Sequence, residues 1–241
     1  MDNFKFDAKD YKKRTKKNHI SIFFIVFLII ILTIGSVFLL PKQNNVDRFY
    51  FVEIDSFSRY SDATILAQKI QQESGAGYVH YDEKYHVLVS FYVNKKQAKS
   101  VVENISADYP NSDVYSLEIF RFLTTDNLTK KQNKIILDVS QFLLDTIHTL
   151  SEFSIEYDSH SRSMDNIKLN IKNQLSSFIS LRKNFNTLFH TDSKFNAHKS
   201  YLTEIINSLN RIIESFESQF SRIIKFETIN IIMNYSSFST F

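Results

Sequence analysis

Two stretches of this chain carry the same pattern at a fixed spacing of 35 residues: Val52, Ile54, Phe57, Ala63 and Ile70 fall on Val87, Val89, Tyr92, Ala98 and Ile105. Each copy opens in an aromatic and β-branched run that suits a pleated surface, then passes into apolar and small residues at helical spacing. The first copy predicts a strand over 49–54 and a helix over 61–73, opened by the capping side chains of Ser61 and Asp62. The second predicts a strand over 85–91 and a helix over 94–106, followed by a strand over 113–119. Gly77–Tyr81 supplies the remaining strand, hairpinned to the next through Asp82, Glu83 and Lys84. The order is βαββαβ. A duplicated βαβ of this size suits a ferredoxin- or RNP-like α+β domain over 49–120, a four-stranded antiparallel sheet with both helices on one face. The other face is then left open for a ligand.

The turn at Asp55, Ser56 and Phe57, where strand passes into helix, holds no glycine, and the whole chain has only three. A phosphate cradle needs close backbone approach, so the turn reads as structural, with Phe57 and its counterpart Tyr92 as core plugs.

Ahead of this domain, residues 20–40 (ISIFFIVFLIIILTIGSVFLL) are uncharged. As a helix this run would span about 31 Å, a hydrocarbon thickness, which predicts an uncleaved transmembrane helix. Residues 1–19 hold seven Lys/Arg against three Asp, and the positive-inside rule makes them a cytoplasmic tail. The expected topology is single-pass in a bacterial cell membrane, with a linker over 41–48 and the bulk outside the cytoplasm. Beyond the tail, 22 basic and 23 acidic residues nearly cancel, which leaves no basic domain for nucleic acid. Cysteine is absent, so disulfides, thiolate metal sites and Cys catalysis are excluded.

Past residue 126 the strand signals stop. Apolar stripes run through Ile136, Val139, Leu143, Ile147 and Leu150, then Met164 to Leu188, then Leu202 to Ile223, with a capping signal at Thr191, Asp192 and Ser193. They predict a helical bundle or coiled coil over 126–235, of three helices or an antiparallel pair. Extra apolar positions such as Phe189, Ile206, Ile213 and Ile224 widen the third stripe and point to a homo-oligomer.

The segment YFVEIDSFSRYSDATILAQKI, followed by YHVLVSFYVNKKQAKSVVENI, resembles a SPOR (sporulation-related repeat) domain through Val52, Ser56, Phe57, Ala63, Ala67, Tyr85, Val87 and Ala98. The resemblance covers about residues 47–120. It implies a module that binds peptidoglycan glycan strands stripped of stem peptides and helps recruit division or sporulation proteins. Glu53 stands where that pattern has glutamine, Asp55 and Ser90 where it has glycine, and His86 where arginine is common. An ionised carboxylate only accepts hydrogen bonds, whereas an amide also donates.

Strand alternation sorts the faces. With Val52, Ile54, Val87 and Val89 under the helices, Phe51, Glu53, His86, Leu88 and Ser90 point to the open face and form the expected glycan site. Phe51 would stack on a sugar ring while Glu53, His86 and Ser90 make polar contacts. His80 and His86 face each other across the hairpin, but two imidazoles make a weak metal site, and no metal or other cofactor is expected. Ser180 and Lys183 have the S-x-x-K spacing without its companion motifs, and no other catalytic fingerprint occurs, so no enzyme is expected. The rival reading is an assembly scaffold that works through its helices, with an α+β module that has lost its glycan.

Overall fold

The computed structural model describes residues 46–120 and 127–239. Strands β1 (Val46–Phe57), β2 (Tyr78–Asp82), β3 (Lys84–Tyr92) and β4 (Asp113–Phe120) form one antiparallel sheet in the order β2-β3-β1-β4. Helix α1 (Tyr60–Gln72) joins β1 to β2, and helix α2 (Lys95–Ile105) joins β3 to β4. This is the split βαβ duplication, with the first strand central because it pairs with both β3 and β4.

The helices that follow are α3 (Lys130–Asp158), α4 (Met164–Leu188), α5 (Asn196–Glu214) and α6 (Phe220–Ser239). Neighbours in the chain pack together, and α6 closes back on α3, which makes an up-down four-helix bundle. The bundle and the sheet belong to one compact unit, residues 45–241.

Local chemistry sets the helix starts. Thr129 and Gln132 make a reciprocal capping box at α3, Ser163 caps α4, and Asn94 accepts from the Lys96 amide at α2. Asp192 caps a short 3-10 turn (Ser193–Phe195) that leads into α5. Helix α1 starts one residue ahead of Ser61 and has no side-chain cap, with Asp62 inside its first turn.

The two sheet faces are filled differently. Ile54, Ala63, Ala67, Ile70 and Val87 form a small core under α1 and α2, where alanines let the helices sit close. Phe49, Phe51, Leu88, Phe91 and Ile119 join the bundle's own Ile, Leu and Phe residues in a larger core on the other side. Helix α6 is the cover: it packs on β3 and β4 as well as on α3 and α5. Its Phe226 ring lies 5.1 Å from that of Tyr78, and Tyr78 donates to Asn230 across 3.5 Å. Such a helix must be apolar on nearly all sides, and Ile224, Ile229, Ile231, Ile232, Tyr235 and Phe238 are all buried.

Three expectations are corrected here. The face predicted to be open is covered by α6. The bundle has four helices, because the third apolar stripe breaks at residues 215–219 and its Phe220 and Ile223 start α6. The transmembrane helix is also withdrawn, along with the single-pass membrane location built on it: among the described residues no helix is long and apolar enough to cross a membrane. The run 20–40 that prompted it, like the tail and most of the linker, lies outside the described residues.

Candidate functional site at the uncovered end of the sheet

Of the five residues expected to form a binding face, Phe51 and Leu88 are 0 % exposed, and Ser90 is buried as well. Phe51 and Leu88 form the floor of the core shared with the bundle, so they offer no surface to a sugar. Glu53 and His86 are brought together elsewhere, toward the end of the face beyond this apolar floor. Register shifts on either side of Glu53 in the β1–β3 pairing break the strict alternation that placed all five on one line.

At this end each strand contributes one or more polar groups. Glu53 comes from β1, His80 and Asp82 from β2, His86 from β3 and Tyr115 from β4. His86 Nδ1 lies 2.8 Å from Glu53 Oε1, and Nε2 lies 3.1 Å from the carbonyl oxygen of Asp82. The side chains of His86 and Glu53 are 15 % and 13 % exposed. Tyr115 lies across the group: its ring centroid is 4.8 Å from His86, 5.7 Å from His80 and 6.1 Å from Phe51. Its hydroxyl donates to the Asp82 carboxylate over 3.0 Å.

Burial sets the ionisation here. It lowers the His80 pKa, against a smaller upward pull from Asp82, while His86 adds to the lowering. His80 is therefore neutral at neutral pH. Burial also raises the Tyr115 phenol, and its bond to Asp82 and the nearby Glu53 charge raise it further. Tyr115 keeps its proton well beyond the ordinary phenol range.

Sequence reasoning missed Tyr115 and Asp82. Tyr115 pairs with Phe51 in the β1–β4 ladder, so a face assigned to β4 would have put it beside the expected residues. His80 and His86 are register partners, as the hairpin predicted. Among the described residues, no group of three or more His, Asp or Glu is placed to hold a metal ion. No family model, curated protein or solved structure matches the chain. Nothing in these comparisons identifies a SPOR domain.

A second polar cluster lies between α5 and α6. Arg211 makes a bidentate pair with Glu227 (2.6 and 2.8 Å) and also bonds Glu204 at 2.6 Å. Asn230 donates to Ser208, and Tyr78 bonds Asn230, so the network reaches from the bundle to β2. Glu204 has its pKa lowered chiefly by the Arg211 hydrogen bond. These groups are committed to each other and tie the cover helix in place.

Proposed function

We propose that the protein is a non-catalytic assembly scaffold that associates with further copies of itself through the bundle. One observation carries this reading: α6, a helix of the same chain, fills the sheet face on which a ligand was expected to lie. The α+β module then serves as a support for the helices, and contacts are made from their outer surface. One end of the bundle, at the α3–α4 and α5–α6 connections, carries apolar side chains in water: Ile155, Leu169 and Phe216, the last 77 % exposed.

Sedimentation of the full chain tests this. The wild type should associate, and Leu169→Asp with Phe216→Asp should shift it toward monomer while the helical circular dichroism stays unchanged. Association that survives both substitutions, or a wild type that stays monomeric at high concentration, would contradict the proposal.

A second reading keeps a glycan ligand and moves it to the uncovered end of the sheet. It is favoured by the part-exposed Tyr115 ring beside the Glu53 and Asp82 carboxylates, a ring-and-acceptor combination suited to sugar hydroxyls. Pull-down of the full chain with peptidoglycan sacculi, intact or stripped of stem peptides, separates the two. Scaffold function predicts no retention above an unrelated control protein. Retention on stripped sacculi that falls in Tyr115→Ala would favour the glycan.

A further inference from the structure

Acidic and basic side chains nearly balance beyond residue 19, but the fold does not spread them evenly. The start of α3, the end of α4 and the start of α5 meet at one end of the bundle. Gln132 Nε2 donates to the Leu188 carbonyl oxygen (3.4 Å), and Arg182 Nη1 donates to the Thr203 hydroxyl (3.3 Å). This end carries Lys130, Lys131, Lys134, Arg182, Lys183 and Lys194. Its two carboxylates are both engaged, Asp138 with Lys134 Nζ at 3.0 Å and Asp192 with the Lys194 amide at 3.0 Å. Among the described residues, Lys134 alone of these cations makes an ion pair.

Two open depressions flank Thr187 at this end. One, of about 660 Å³, follows one face of α4 past Ile179, Arg182, Lys183 and Asn186 to His190. The other, of about 370 Å³, lies between α3 and α4, with Lys131, Lys134 and Asn184 beside the apolar Ile135 and Leu188. Asp138 is the one acidic residue among the described residues that line them, and Lys134 already neutralises it. We infer that the two depressions together form a binding site for a linear chain of phosphate groups.

Charge, length and lining each narrow the ligand. Lysine supplies its charge as a point, without a planar fork, which suits oxygens set around phosphorus better than one flat carboxylate. From Ile179 to Thr187 the first depression follows about 12 Å of helix axis, and the second extends the site across Thr187 to α3, more than a single phosphate would fill. The start of α3 points the same way. A helix N-terminus carries partial positive charge and favours acidic neighbours, yet the first turn of α3 has no acidic residue and carries Lys130 and Lys131. A bound anion relieves that repulsion. No Phe, Tyr or Trp stands among the described lining residues, so nucleobases find no ring to stack on, and the chain recognised is one without bases. This inference depends on neither the scaffold nor the glycan reading.

Titration calorimetry of the full chain with long-chain sodium polyphosphate tests this. The wild type should bind, with a slope of log K on log salt of about −2, as three neutralised phosphates give on a flexible strand. Lys131→Ala with Lys183→Ala should weaken binding by about tenfold. Lys95→Ala with Lys99→Ala removes the same charge from the exposed side of α2 and should leave binding unchanged. All four lysines are exposed, so neither pair of substitutions removes a core contact. No binding by the wild type, or an equal loss in the two double variants, overturns the inference. Two further arms fix the ligand class. Poly-glutamate or single-stranded DNA of matched charge should bind more weakly than polyphosphate, and equal binding of either overturns the assignment to a phosphate chain without bases. Vesicles of anionic phospholipid should not retain the chain more strongly than free polyphosphate binds it; retention by vesicles without binding of polyphosphate overturns the inference in favour of a lipid surface.

Discussion

The two faces of the sheet carry apolar residues of different size, and the difference decides what the domain can bind. Under α1 and α2 the contacts are short: Ala63, Ala67, Val87 and Ile54 let two helices settle close to the strands. On the opposite face Phe49, Phe51, Phe91 and Leu88 stand in a layer that needs a thick partner, and the four-helix bundle supplies it through α6. Only the end of that face, with Glu53, His86 and Tyr115, is left polar and partly exposed. A sheet that holds large rings on its second face has committed that face to its own core. What stays accessible is its rim.

Substitutions can break this contrast. Phe51→Ala should cost about 4 kcal/mol in urea denaturation, as a large ring lost from a packed core, and a cost below ~1 kcal/mol would mean that the face is open after all. Arg211→Leu attacks the cover instead. It strands the nearly buried Glu227 carboxylate without its partner and should cost about 3 kcal/mol. Adding Glu227→Leu should recover most of that loss, because the pair itself contributes little once both charges are gone.

Val87→Ala, on the thin face, should cost about 2 kcal/mol, less than Phe51→Ala because fewer methyl groups leave the core. Tyr115→Phe, at the rim, removes one hydrogen bond to the exposed Asp82 and should cost about 1 kcal/mol. It also has a pH signature. The folded Tyr115 has a raised pKa, so its stabilising share is present below the ordinary phenol value and disappears as pH rises through the raised one. The penalty of Tyr115→Phe, measured against the wild type, should therefore shrink in strong alkali. In acid the bundle responds instead. Glu204 has a lowered pKa, so its share is present above the ordinary carboxylate range and is lost as pH falls through the folded value.

The elements of the α+β half were legible because each is written locally. The alternation in the strands, the alanine-bearing helices and the 35-residue echo all lie within short windows of sequence. The covered face was harder to read because what covers it, Phe226 and Asn230, comes more than 140 residues after the strand it touches at Tyr78. One local sign pointed to it. The runs at 49–54 and 87–93 are apolar almost without interruption, as strands buried on both sides tend to be. The start of α6 was hidden because residues 215–219 break the third stripe with neither glycine nor proline, so the apolar positions seem to run on. The polar rim was half legible. Glu53 and His86 were picked as part of one open face with Phe51, Leu88 and Ser90, but their mutual bond depends on register shifts that alternation alone does not reveal.

The account stands on α6 lying across the sheet, and ring-to-ring nuclear Overhauser contacts on the full chain test that most directly. The Phe226 and Tyr78 rings, with centroids 5.1 Å apart, should give a strong cross-peak. Absence of that cross-peak, with the Leu88 methyl groups open to a soluble paramagnetic probe, would show the face uncovered and contradict the account.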